Sequence, residues 1–159
     1  MKGAIMPTLD DVYRKFGFAA EAAQLLETEL GTMHLLDYAE EEGLLNGLNP
    51  TRASELVDTI NRLTLGQLIR RMNNKTESLD QLESLLSHAL EERNRLLHSF
   101  YRQHNFRRNS DEGRAIMLLD LESIHKTLLA AYKAVILLSG IDLDAAGGKQ
   151  IMPTRHLPI

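Results

Sequence analysis

Apolar residues recur along this chain at three- and four-residue spacing, the period of one face of an α-helix. Ile5, Leu9, Val12, Phe16, Ala19, Ala23, Leu26, Leu30 and Met33 draw one stripe down a long amphipathic helix. Thr8, with Asp10 and Asp11 behind it, marks the start, since acids are favoured at the positive end of the helix dipole. Gly43, Gly47 and Pro50 put its end at residues 40–42. Thr51 with Glu55 opens a shorter helix through Val57 and Ile60, and Thr64 a capped restart through Ile69 that Asn73, Asn74 and Lys75 break. From Ser78 and Asp80 the pattern predicts a helix running to about His104, then a polar, basic loop over 105–109. Ser110, Asp111 and Glu112 cap a last long helix that runs to Ser139 and stops at Gly140. Its apolar positions (Ile116, Met117, Leu121, Ile124, Leu128, Ala131, Tyr132, Val135 and Leu138) cover a wide arc, which predicts the most buried element of the fold.

These segments predict an all-α protein, a single-domain bundle of four to five helices over residues 1–144. Gly147, Gly148, Pro153 and Pro158 point to a flexible tail over 145–159. At 159 residues the chain is long enough to bury a sizeable core, and only four prolines interrupt a composition rich in Leu, Glu, Ala and Arg. It contains no cysteine, which excludes a disulfide framework, a thiolate metal site and a cysteine nucleophile. No apolar run approaches the ~20 residues of a membrane span, so the chain is expected in the cytosol, with no membrane partner.

Charge changes the picture at one place. The net charge is −4, yet residues 93–108 hold five arginines (93, 95, 102, 107 and 108), two histidines and no acid. An acidic protein with one basic block is expected to have a local anion-binding face. On the helix that carries this block, 100° steps place Leu79, Leu82, Leu86, Ala89, Leu97 and Phe100 on a core stripe, and Arg93 falls inside it. Asn94, His98 and Arg102 form a polar ridge beside that stripe. An arginine at a core position must find a partner or send its head to solvent. One expectation for Arg93 is a buried ion pair with a carboxylate such as Asp120 or Glu122; the other is a phosphate-binding role.

Arg-x4-His alone is weak, since chance supplies roughly 0.5 matches in a chain of this composition. Here the spacing is the fuller Arg-Asn-x-x-x-His, and the basic block begins at the same residue. Arg93-Asn94-Arg95-Leu96-Leu97-His98 resembles the Arg-x4–6-His signature of the HEPN superfamily, and the long helix after it extends the likeness over roughly residues 8–140. The resemblance implies a HEPN-like helical bundle that works as a homodimer, with two motifs meeting in a cleft. It further implies a metal-independent endoribonuclease without cofactor, of the kind found in toxin–antitoxin and phage-defence systems, with RNA as substrate and an antitoxin or regulatory protein as partner. On this resemblance His98 is the acid/base, Arg93 stabilises the phosphate and Asn94 orients the phosphate or the histidine. The chemistry suits those residue types. RNA carries its own nucleophile, the 2′-hydroxyl, so only proton transfer and charge stabilisation are needed. Other members of the superfamily are inactive RNA-binding or protein-interaction modules, and that is the alternative here.

Arg95, Arg102, Arg107 and Arg108 are candidates for RNA backbone contacts, each with a solvated face as its simpler explanation. Tyr101 and Phe106 are candidate stacking surfaces, whereas Phe100, on the stripe, is expected in the core. One subgroup of the superfamily has a modifiable tyrosine two residues after the histidine. That position is Phe100 in this chain, so the control mechanism is not expected. Glu122-Ser123-Ile124-His125 has the Glu-x-x-His spacing of di-iron bundles, but a di-iron site needs two copies plus two further glutamates, so no metal is expected. His34 and His88 are expected to face solvent or to be hydrogen-bonded.

Overall fold

The structure, a computed structural model, describes residues 6–41, 43, 50–62, 66–67 and 80–138. It is all-helical there: α1 (Leu9–Glu41), α2 (Pro50–Asn61), α3 (Asp80–His98), α4 (Phe100–His104), a 3-10 turn (Asn105–Asn109) and α5 (Asp111–Leu138). The expected restart at Thr64, Leu79 at the head of the α3 stripe, the stop at Gly140 and the tail over 145–159 lie outside the described residues, Gly66 and Gln67 excepted. No helix among the described residues is long and apolar enough to cross a membrane.

α1 begins with a reciprocal cap. The Thr8 backbone N–H donates to Asp11 Oδ2 at 2.8 Å and the Asp11 N–H donates to Thr8 Oγ1 at 3.2 Å, so two otherwise orphaned donors are satisfied. The Thr8 hydroxyl, which donates to Asp11 Oδ2 at 2.7 Å, and then the Thr8 N–H hold the Asp11 carboxyl below the usual carboxylate range. Past the far end of α1, Gly43 takes the left-handed conformation (φ 67°) that glycine adopts without a Cβ clash. Ser110 starts α5 in the same way, its Oγ accepting from the Gly113 N–H at 3.0 Å.

α1 and α5 are the central pair, α3 packs against α5 and more lightly against α1, and α2 leans on α1. The core joins Val12, Ala19, Ala22, Ala23, Leu26 and Leu30 of α1 to Met117, Leu121, Ile124, Leu128, Ala131 and Val135 of α5, with Leu86, Ala89 and Leu96 of α3 and Phe100 of α4. Burying leucine-sized side chains is worth about 1.5–3 kcal/mol each, so this seam supplies the main driving force of the fold. Two expected core positions of α5 are open to solvent, Ile116 (46% exposed) and Leu138 (45%), because α1 and α3 cover a narrower arc than the apolar residues span. On α3 the buried residue is Leu96, and Leu97, expected in the stripe, is 43% exposed.

The helix expected to reach His104 is broken at Ser99, whose backbone (φ −141°, ψ −6°) leaves the helical region. Ser99 Oγ donates to the Arg95 carbonyl at 3.1 Å, a back-bond of the kind that bends helices. The expected loop over 105–109 is instead a tight 3-10 turn pressed onto α5. A Cβ on Gly113 would lie 2.1 Å from the Arg107 carbonyl oxygen, so only glycine admits this approach. Arg114 clamps the same corner, donating from Nη1 to the Arg108 carbonyl at 3.0 Å and from Nε to the Pro7 carbonyl at 2.6 Å, while Asp111 accepts from its Nη2.

Candidate functional site

The basic segment divides into three environments. Arg93 lies on the inner side of α3 and turns its guanidinium toward α1, where Nε and Nη2 each reach Glu27 Oε1 at 2.8 Å. The pair is mostly buried (Arg93 side chain 21% exposed, Glu27 31%). An ion pair was one of the two expectations for Arg93, but the partner is Glu27, not Asp120 or Glu122. Arg93 Nη1 also donates to Asn94 Oδ1 at 3.1 Å. Two of the guanidinium's five N–H donors are thereby hydrogen-bonded, and donors remain on both terminal nitrogens. Asn94 and His98, one turn apart, are exposed as expected, and His98 has no partner among the described residues.

The second environment is a polar network between α3, α4, the turn and α5. Asp120 accepts from Arg95 Nη1 and Nη2 at 2.7 Å each, a bidentate fork, and Arg95 Nη2 also meets Glu92 Oε2 at 2.8 Å. His104, 5% exposed, places Nε2 at 2.6 Å from the same Asp120 carboxylate, and Arg107 Nη1 stands 3.0 Å from His104 Nδ1. Arginine only donates, so Nδ1 accepts and the imidazole proton sits on Nε2, facing Asp120. Hydrogen bonds from Arg95, then from His104, hold the Asp120 carboxyl below the ordinary range, against the opposing effect of burial. Asp120 and Glu92 in turn raise the Arg95 pKa above its ordinary value. Arg95, a candidate for RNA contact, is thus engaged inside the fold, and Arg107, another, is exposed but tied to His104. Both carboxylates are paired to the one guanidinium of Arg95.

The third environment is the outer face of α4 and the turn. Arg102 is exposed and has no partner among the described residues. Arg108 Nη2 donates to the neutral Tyr13 hydroxyl at 3.0 Å. Tyr101 packs on Phe16 (ring centroids 5.3 Å) and edge-on to Tyr13 (6.3 Å), leaving its outer side open. Burial, then Tyr13, pushes the Tyr101 hydroxyl pKa up, with Arg108 opposing. Phe100 is in the core, as expected, and Phe106 is 76% exposed.

Elsewhere, Lys15 of α1 inserts between the two residues of the Glu-x-x-His motif on α5, pairing with Glu122 and donating to His125 Nδ1 at 3.1 Å. A protein cation therefore occupies the place where a metal would bridge them. Burial, then the Lys15 charge, holds the His125 pKa below its ordinary value. His34 is buried rather than solvent-facing, and His88 is exposed beside Glu91.

Glu27, Asp120 and His104 are the residues sequence reasoning did not place. Asp120 had been named as an acceptor, but for Arg93 and not for Arg95. The available signal for His104 was its position one turn beyond buried Phe100; Glu27 had only its place beside Leu26 on the α1 stripe. Comparison with protein-family models, curated proteins and solved structures finds no match to this chain.

Proposed function

We propose that this chain is a HEPN-type domain that cleaves RNA without a metal, with Arg93, Asn94 and His98 of two copies facing each other across a cytoplasmic homodimer. The observation that carries this is the arrangement of the ridge: Arg93 braced by Glu27 and Asn94 with N–H donors to spare on both terminal nitrogens, and an open imidazole one turn beyond Asn94. Those donors suit the non-bridging oxygens of a phosphate. His98 of one copy takes the proton from the 2′-hydroxyl as its oxygen attacks phosphorus. His98 of the other gives a proton to the departing 5′-oxygen, leaving a 2′,3′-cyclic phosphate and a 5′-hydroxyl. Leu97, exposed beside the ridge, is an apolar contact such a dimer would bury. A toxin of this kind needs a restraining antitoxin, and a protein that covers the ridge would serve.

A second reading rests on one fact: Glu27 neutralises Arg93 within the monomer. In that case the ridge is structural and the chain is a non-catalytic RNA-binding or protein-interaction module. The two separate when purified protein is incubated with mixed RNA in EDTA beside Arg93→Ala and His98→Ala, with sedimentation confirming two chains per particle. Cleavage lost in both variants supports the enzyme. RNA left intact by the wild-type protein at high concentration leaves the module.

A further inference from the structure

We infer that the turn at Asn105–Asn109 is a docking point for single-stranded RNA, with an unstacked base on Phe106 and the flanking phosphates on Arg102 and Arg108. This rests on RNA being the ligand, as above, but not on its cleavage.

Phe106 is the most exposed large apolar side chain among the described residues, at 76%. A lone exposed phenylalanine needs no explanation by itself. What singles this one out is the rigidity beneath it and the charge around it. Asn105, before it, is the one described non-glycine residue with positive φ (42°), a strained conformation that persists only where the surroundings over-determine it. They do so here: the Asn105 N–H donates to the Tyr101 carbonyl, Gly113 admits the Arg107 backbone, and Arg114 holds the Arg108 carbonyl. The backbone is thus held so that Phe106 projects away from the bundle at little further cost in entropy on binding.

The charge is equally selective. Glu27 cancels Arg93, and Glu92 and Asp120 hold Arg95, while Arg107 turns to the ring of His104. Among the described residues Arg102, Arg107 and Arg108 have no carboxylate partner, and no acid occurs from residue 93 to 110 in a chain whose net charge is otherwise acidic. Asp111, next in sequence, is held by Arg114. An aromatic platform between cations matches a base between phosphates, and Tyr101, with one side open beside Arg108, extends it. In a duplex both faces of a base are covered, so only single strands fit. The six residue steps from His98 to His104 can span at most about 20 Å, which leaves the ridge within reach of the same strand.

The test is fluorescence anisotropy of the full chain with a labelled single strand of 2′-O-methyl RNA, which binds but lacks the nucleophilic hydroxyl. Phe106→Ala is expected to weaken binding roughly 5- to 150-fold and Phe106→Leu nearly as much, while Phe106→Trp restores it. Arg102→Gln and Arg108→Gln should each lower the slope of log affinity against log salt by about 0.7, and a duplex of the same sequence should bind more weakly. Phe106 is exposed, so far-UV circular dichroism should not change. The inference is overturned if Phe106→Leu binds like the wild type, if duplex and single strand bind alike, or if no RNA binds at low salt. Cleavage of ordinary RNA is scored separately. Phe106-dependent binding without cleavage keeps this surface and removes the nuclease; cleavage with Phe106-independent binding does the reverse.

Discussion

Replacing Asp120 by asparagine keeps the shape of the network and removes what organises it. Three N–H groups converge on the carboxylate, two from Arg95 and one from His104, and an amide presents only one oxygen to them. Its NH2 must face a donor whichever way it turns, and moving the His104 proton to Nδ1 would set it against Arg107. Removing one partner of a fully buried ion pair costs about 3–5 kcal/mol. About a quarter of each side chain is open to solvent here (Arg95 26%, Asp120 22%), so screening reduces the expected loss to about 3 kcal/mol. For a chain of this size that lowers Tm by about 6–12 °C.

The pH dependence gives a second, sharper measurement. The folded-state pKa of Asp120 is depressed by Arg95 and then His104, so its stabilisation is fully present above the unfolded value near ~3.9. It is lost as pH falls through the lower folded value. Urea unfolding followed by circular dichroism should therefore show a constant gap between wild type and Asp120→Asn from about pH 7 to 5, closing in more acidic solution. A gap below about 1 kcal/mol at neutral pH, or one unchanged down to the lowest pH at which the wild type stays folded, would refute this account of the network.

Gly113→Ala should cost about 3 kcal/mol in a thermal melt, because the added methyl meets backbone that cannot rotate away; a loss below about 1 kcal/mol would mean the turn shifts freely. For His125, the depressed pKa means the unfolded chain binds the extra proton first. Its contribution to stability should fall as pH drops through about 6.5 toward the folded value. Lys15→Met removes the second cause and leaves burial, so an NMR titration should find the His125 pKa partly raised toward the ordinary value; an unchanged value would show that the Lys15 charge is not felt.

The fold was legible because it rests on local signals. The α1 stripe, the caps at Thr8 and Ser110 and the inner face of α5 from Met117 to Val135 all follow from spacing that helical geometry reads directly. The errors come from what periodicity leaves open. On α3 the apolar arc is wider than the strip its neighbours cover, and packing toward α5 shifts the buried strip so that Leu96 replaces Leu97, about 100° away around the helix. The break at Ser99 hangs on a single hydroxyl that can bond back to its own helix or face solvent, and helical spacing is the same either way.

The candidate site was half legible for a related reason. A run of arginines without acids shows where positive charge is concentrated in sequence, not where it survives folding. Glu27 lies 66 residues from Arg93, and Asp120 25 residues from Arg95, so both neutralising contacts exist only once α1 and α5 have docked on α3. Docking then sorts the block. The arginines nearest its start are drawn into the seams between helices, while Arg102, Arg107 and Arg108, beyond the break at Ser99, remain exposed on the segment that carries Phe106. If the helix had continued straight through Ser99 there would be no tight turn for Gly113 to receive and no rigid mount for that aromatic. The bend that spoiled the helical expectation is what separates a neutralised, structural cluster from a positive, exposed one.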